Sequence, residues 1–239
     1  MPRTDHPRGT PAGLDHTGPD PESAARFYAA LLGWPHPPAG VTLHRAPGPA
    51  PAGAAGWTVA FTTPDAHATA RSVHGAGGTV RTCGPDARGR PTALCTDPAG
   101  ALFTVRQSGA PFRLAWTELH TPDPAAARRF YRAVFAWQQY DLRAEREGCT
   151  VLRPAGGTPE DGHGAIVQLP AAEAAAGVRP HWLPYFEVLD AEAAADRAVR
   201  LGGAVRQPAR PVPGLGLLAR LTDPCGAAFA VIAADRRTP

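Results

Sequence analysis

The chain has 239 residues, 24 basic and 21 acidic, for a formal net charge of +3, and only four cysteines. It contains neither lysine nor asparagine, and with its many alanines, glycines and prolines this reads as the codon bias of a GC-rich genome. So small a charge on scattered arginines excludes nucleic acid as a partner, and no apolar run approaches the roughly 20 residues that span a membrane.

Residues 1–10 are polar and proline-rich without an apolar signal core, so a flexible tail and a cytoplasmic protein are expected. Cys83, Cys95, Cys149 and Cys225 lack metal-type pairing and are expected as reduced thiols. From residue 13 the chain runs through His16, Asp20–Pro21, Phe27–Tyr28 and Gly33–Trp34. Asp20 suits a helix N-cap and Pro21 the first helical turn. Residues 34–57 are rich in Pro, Ala and Gly and leave room for one clear strand, 41–45. A second unit follows, with a strand ending at Asp65, a helix stopped by Gly77–Gly78, and a closing segment Asp97-Pro98-Ala99-Gly100-Ala101-Leu102-Phe103.

After a linker at 107–112 the same plan returns. Asp123–Pro124, Phe130–Tyr131 and Ala136–Trp137 lie at a constant offset from their first copies, and an internal repeat of this length means two copies of one domain. The spacing predicts a strand at 114–120 and a helix from Asp123 with Ala127, Phe130, Tyr131, Val134 and Phe135 as its buried stripe. Strands follow at 138–143, 149–153 and 164–169. The last unit has a strand at 182–188, a helix at 191–201 ended by Gly202–Gly203, and strands at 204–207, 217–222 and 227–233. Loops at 177–180 and 208–213 are placed to cover a cavity mouth.

These motifs, Asp-Pro followed by Phe-Tyr and a closing Asp-Pro-x-Gly-Ala-x-Phe, resemble the vicinal oxygen chelate superfamily. It includes glyoxalase I, bleomycin-resistance proteins, fosfomycin-resistance transferases and extradiol dioxygenases. The resemblance implies an α+β fold of tandem glyoxalase-like domains, 11–107 and 113–235. Each would be built from two β-α-β-β-β units with curved mixed sheets enclosing a cavity, the first unit of the N-terminal domain being eroded. It also implies metal-ligand positions at Gly13, Thr58, Trp116 and Leu183 in the first strands and at Thr104 and Ala230 in the last. None of these is His, Glu or Gln, so no metal cofactor is expected.

Strand alternation then gives the cavity face of the second domain: Trp116, Glu118 and His120, with Leu183, Tyr185 and Glu187. Ala228 and Ala230 are expected to leave space for a ligand, and His163 and Gln168 to reach the same region. Glu118, expected as a partly solvated carboxylate, is the candidate base and His120 the second acid–base group. Tyr185 is a candidate oxyanion donor, Trp116 a stacking wall and Glu187 an orienting carboxylate. The first domain offers Asp15, Thr17, Thr58, Ala60, Thr62, Thr104 and Arg106, best read as a structural Asp15–Arg106 pair. His16 is expected on the helix side, and His36, His44, His67 and His74 sit singly.

Three functions remain open. One is a metal-independent acid–base enzyme (isomerisation, cyclisation or elimination) acting on a small metabolite, possibly in natural-product metabolism. The second is a sequestering protein of the bleomycin-resistance type. The third is a divalent-metal lyase or dioxygenase with displaced ligands Glu118, His120 and Glu187. All three take a small molecule as partner, in a monomer with paired domains or a homodimer.

Overall fold

The computed structural model describes residues 7–46, 55–107, 112, 114–141, 149–212 and 215–234. The first repeat supplies β1 (Pro11–Gly18), α1 (Pro21–Leu32) and β2 (Val41–Arg45), then β3 (Gly56–Thr63), α2 (Ala66–Gly75), β4 (Thr79–Pro85), β5 (Pro91–Thr96) and β6 (Leu102–Gln107). The second supplies β7 (Trp116–Thr121), α3 (Pro124–Phe135), β8 (Gln138–Asp141), β9 (Cys149–Arg153), β10 (Gly164–Gln168) and the short α4 (Ala171–Ala175). It closes with β11 (His181–Glu187), α5 (Ala191–Arg200), β12 (Ala204–Val212), β13 (Gly216–Thr222) and β14 (Ala228–Ala233). The fold is α+β with two mixed sheets, as expected from the repeats. Residues 142 and 143 of the expected strand 138–143, and part of the expected linker, lie outside the described residues.

The expected helices form where their caps put them. Asp20 accepts from the backbone N–H of Glu22 and Ser23, Asp123 from Ala126, and Asp190 from Glu192 and Ala193. One expectation is corrected. Residues 208–212 are not a loop but continue β12, which pairs with β13 from Ala204 to Val212 across two register shifts. β12 is an edge strand, where a proline's missing N–H leaves no ladder bond unmade.

Two compact units divide the chain differently from the repeats: residues 1–13, 59–113 and 117–182 in unit 1, and 14–58, 114–116 and 183–239 in unit 2. In unit 1, β3 runs parallel to β6, and β5 and β4 extend antiparallel from it. β7 runs parallel to β10, with β9 and β8 antiparallel beyond. Helix α2 packs on β4, β5 and β6 and against α3. Gly9 and Thr10, from the expected tail, bond to Thr62 of β3. In unit 2, β1 runs parallel to β2 and β11 to β14, with β13 and β12 antiparallel to β14 in turn; α5 packs on these strands and against α1.

Each unit is built around the same six aromatic positions, one copy of each. Unit 1 packs Phe61, Phe103, Phe130, Tyr131, Trp137 and Trp182; unit 2 packs Phe27, Tyr28, Trp34, Trp57, Phe186 and Phe229. Burying each such ring contributes about 1.5–3 kcal/mol. Phenol and indole must also find partners. In unit 1 the Trp182 indole donates to the Tyr131 hydroxyl (3.0 Å), which donates to Asp97 Oδ2 (3.3 Å). In unit 2 Trp57 donates to Tyr28 (2.9 Å) and Tyr28 to Asp223 Oδ2 (3.3 Å). The other carboxylate oxygen caps the Asp-Pro-x-Gly loop, taking the N–H of Ala99 and Ala101 at Asp97 and of Cys225 and Ala227 at Asp223.

The motifs that carry the resemblance are therefore buried polar ties, and burial beside a carboxylate drives both tyrosine pKa values well above the usual phenol range. Unit 2 adds His16, whose Nε2 lies 2.8 Å from Asp223 Oδ2 with both side chains fully buried. In unit 1 that position is Leu119, also fully buried.

Candidate functional site

Strand β7 turns Glu118 and His120 to one face and Leu119 to the other, because side chains alternate. The neighbouring strand β10 sets Ala165 opposite Glu118 and Val167 opposite His120. These small apolar neighbours put the pair in a low-dielectric setting. Glu118 is 0% and His120 2% exposed, which corrects the expectation of a partly solvated carboxylate. His120 Nε2 stands 3.4 Å from Glu118 Oε2, close enough for charge interaction, yet neither ring nitrogen makes an aligned hydrogen bond among the described residues. Buried polar atoms in that state are uncommon in folded proteins.

The His120 ring lies flat on the ring of His181, with centroids 5.1 Å apart and planes 7° apart. His181 Nδ1 donates to the Arg179 carbonyl at 2.8 Å, which fixes the tautomer, since a carbonyl only accepts. Sequence reading missed His181 by starting its strand at 182; residues 181, 183 and 185 share a face of β11 by the same alternation that placed Leu183 and Tyr185.

The other expected site residues separate into three groups. Trp116, Leu183, Tyr185, Ala228 and Ala230 come together in unit 2, in one apolar cluster with Val212, Leu218 and Ile232. Ala230 is fully buried in it and serves packing where space for a ligand was expected, and Ala228 packs against the cluster half-buried. His163 instead packs edge-on against Trp137 (5.0 Å) and Phe61 (6.5 Å) in the aromatic core of unit 1. Burial there lowers its pKa to about 4, and the nearby Asp161 backbone opposes this only weakly. Gln168 and Glu187 are exposed at the ends of their strands. Gln168 Nε2 donates to the carbonyls of Pro122 and Leu169, closing the turn into α3. In the first repeat Asp15 lies 3.7 Å from His44, and Arg106 lies 4.0 Å from Asp86.

A family model for a glyoxalase-like domain matches residues 13–106 and again 116–232. The chain belongs to the glyoxalase-like family. This glyoxalase-like chain is 34% identical to the anthracycline biosynthesis protein DauV of Streptomyces sp. (strain C5), over 94% of the chain and 93% of that relative. It is 32% identical to the putative glyoxylase CFP32 of Mycobacterium tuberculosis, over 96% and 97%. Among solved structures, the Mn(II)-bound glyoxalase from Novosphingobium aromaticivorans superposes with a TM-score of 0.63 at 17% identity, covering 96% of this chain and 84% of that one, a likeness of fold alone.

The Mn(II) in that structural neighbour raises the question of whether an ion fits here. At the ligand positions that the superfamily resemblance implies, Trp116, Leu183 and Ala230 belong to the apolar cluster, Gly13 has no side chain, and Thr58 and Thr104 offer only hydroxyls. Among the described residues no three His, Cys, Asp or Glu side chains converge as a metal-binding group, the displaced set Glu118, His120 and Glu187 included. This donor set does not fit a divalent ion.

Proposed function

We propose that this chain is a metal-independent enzyme of secondary metabolism that transfers a proton on a small organic metabolite, and that Glu118 and His120 carry the transfer. The observation that carries the reading is the buried His120 imidazole, without an aligned hydrogen bond, 3.4 Å from a fully buried carboxylate. Burial of this kind keeps an acid–base pair off water, where proton transfer by a positioned side chain is worth about 10²–10⁴-fold. Glu118 removes the substrate proton and His120 returns one, so the step is an isomerisation, cyclisation or elimination with no change of oxidation state. The stacked His181 holds the His120 ring in plane. Similarity to an anthracycline biosynthesis protein makes an anthracycline, or a precursor of one, the substrate class to try first.

The test is hydrogen–deuterium exchange into anthracycline-type compounds incubated with the protein in D2O, read by mass spectrometry. Glu118→Gln and His120→Gln should each slow exchange by about 10²–10⁴-fold while circular dichroism stays unchanged. Compounds that bind tightly but are recovered without deuterium would overturn the enzyme reading in favour of sequestration.

A further inference from the structure

Helix α3 buries one stripe and turns Arg128, Arg129 and Arg132 outward along the other. Residues three and four apart on a helix are neighbours, so Arg132 stands beside both others, and like charges at these spacings repel. Beside them strands β8 and β9 close a surface depression of about 330 Å³ with Tyr140, Asp141 and Thr150 in its lining. Asp141 is the one carboxylate among the described residues that line it; it accepts from Arg128 Nη1 (3.1 Å) and from the Thr150 hydroxyl (2.7 Å). Among the described residues that line it, three guanidinium groups face one carboxylate, a net of two positive charges. Arg153 adds a further cation, 5.6 Å over the Tyr140 ring. The Arg128 Nε–H is buried and has no acceptor among the described residues.

We propose that this depression binds a phosphate-type oxyanion. A dianion complements this net positive lining, and the exposed guanidinium groups of Arg129 and Arg132 are placed for charge-assisted bonding. Tyr140 supplies an aromatic wall against which an organic phosphoester can lie. The site is independent of the Glu118–His120 pair. Thr150 and Leu119 both pair with Ile166 of β10, which puts Thr150 on the helix side of the sheet, opposite the face of Glu118 and His120.

The experiment titrates the full chain with inorganic phosphate and with phenyl phosphate, against sodium chloride at matched ionic strength, following arginine side-chain N–H resonances and Tm. Saturable shifts of the Arg129 and Arg132 Nε–H, with Tm raised by about 2–4 °C at saturation, support the site. Tighter binding of phenyl phosphate points to a phosphorylated metabolite, and equal binding to free phosphate. The double variant Arg128→Gln/Arg132→Gln should weaken binding at least tenfold. Arg129→Gln, on an exposed side chain, gives a fallback that leaves the buried stripe of α3 untouched. Shifts no larger than those in chloride, or undiminished binding in the arginine variants, would overturn the proposal.

Discussion

At His163, burial between Phe61 and Trp137 makes the neutral imidazole the folded form, with a pKa near 4 against 6.5 in an open chain. A histidine depressed in this way supports the fold above its unfolded pKa, and that support is lost as pH falls through the window from 6.5 to 4. Chemical denaturation should therefore show stability falling by about 2 kcal/mol from this residue between pH 7 and pH 5, and His163→Phe should remove that part of the loss. A variant with the same acid sensitivity as the parent would mean that His163 already titrates as an exposed group. Alternation along β7 made Glu118 and His120 legible as a pair, because the period of two holds wherever a strand is regular. It could not place His163, which precedes β10 on a loop where no period applies. Nor does periodicity report depth: Glu118 and Glu187 read alike in sequence, and one is fully buried while the other is exposed.

The two Phe-Tyr helices differ at their C-terminal caps. Gly33 takes φ 72° after α1, and its counterpart after α3 is Ala136 at φ 58°, the left-handed region that disfavours a Cβ. Gly33→Ala should lower stability by about 1 kcal/mol, and Ala136→Gly should leave it unchanged or raise it by a few tenths, since strain relief opposes the entropy of a freer unfolded chain. Urea melts of both variants check this, and a large loss in Ala136→Gly would show that the Ala136 methyl is needed for packing. Caps, helical stripes and the Gly–Gly stops were legible because local chemistry decides them. In each Gly–Gly pair the second glycine also sits where a Cβ would come within 2.6 Å of the Thr96 carbonyl or 2.5 Å of the Thr222 carbonyl, a restriction only the folded neighbours impose. The extent of β12 was hidden for the opposite reason: Pro208 and Pro211 signal a loop locally, and only an edge position makes them tolerable in a strand.

The repeats align along the chain, but the buried ties cross between them. Tyr28 of the first repeat bonds to Asp223 of the second, and Tyr131 of the second to Asp97 of the first. A chain ending at residue 112 would keep Tyr28 and Asp97 and lose both partners, leaving buried polar groups that each cost about 1–3 kcal/mol. Expressed alone, residues 1–112 should be unfolded by circular dichroism or should dimerise so that one copy supplies the partners of the other; a stable folded monomer in size exclusion would refute the crossing ties. The sequence by itself determined the duplication, the α+β class, the family and the near-constant positions of the helices, because caps, turns and periodicity are local and recur at a fixed offset. Only the tertiary structure decided which half of each repeat shares a core with which, that the Tyr and Asp of the family motifs are partners, and that His181 lies on His120. These pairings join residues far apart in the chain, and nothing in local propensity carries that distance.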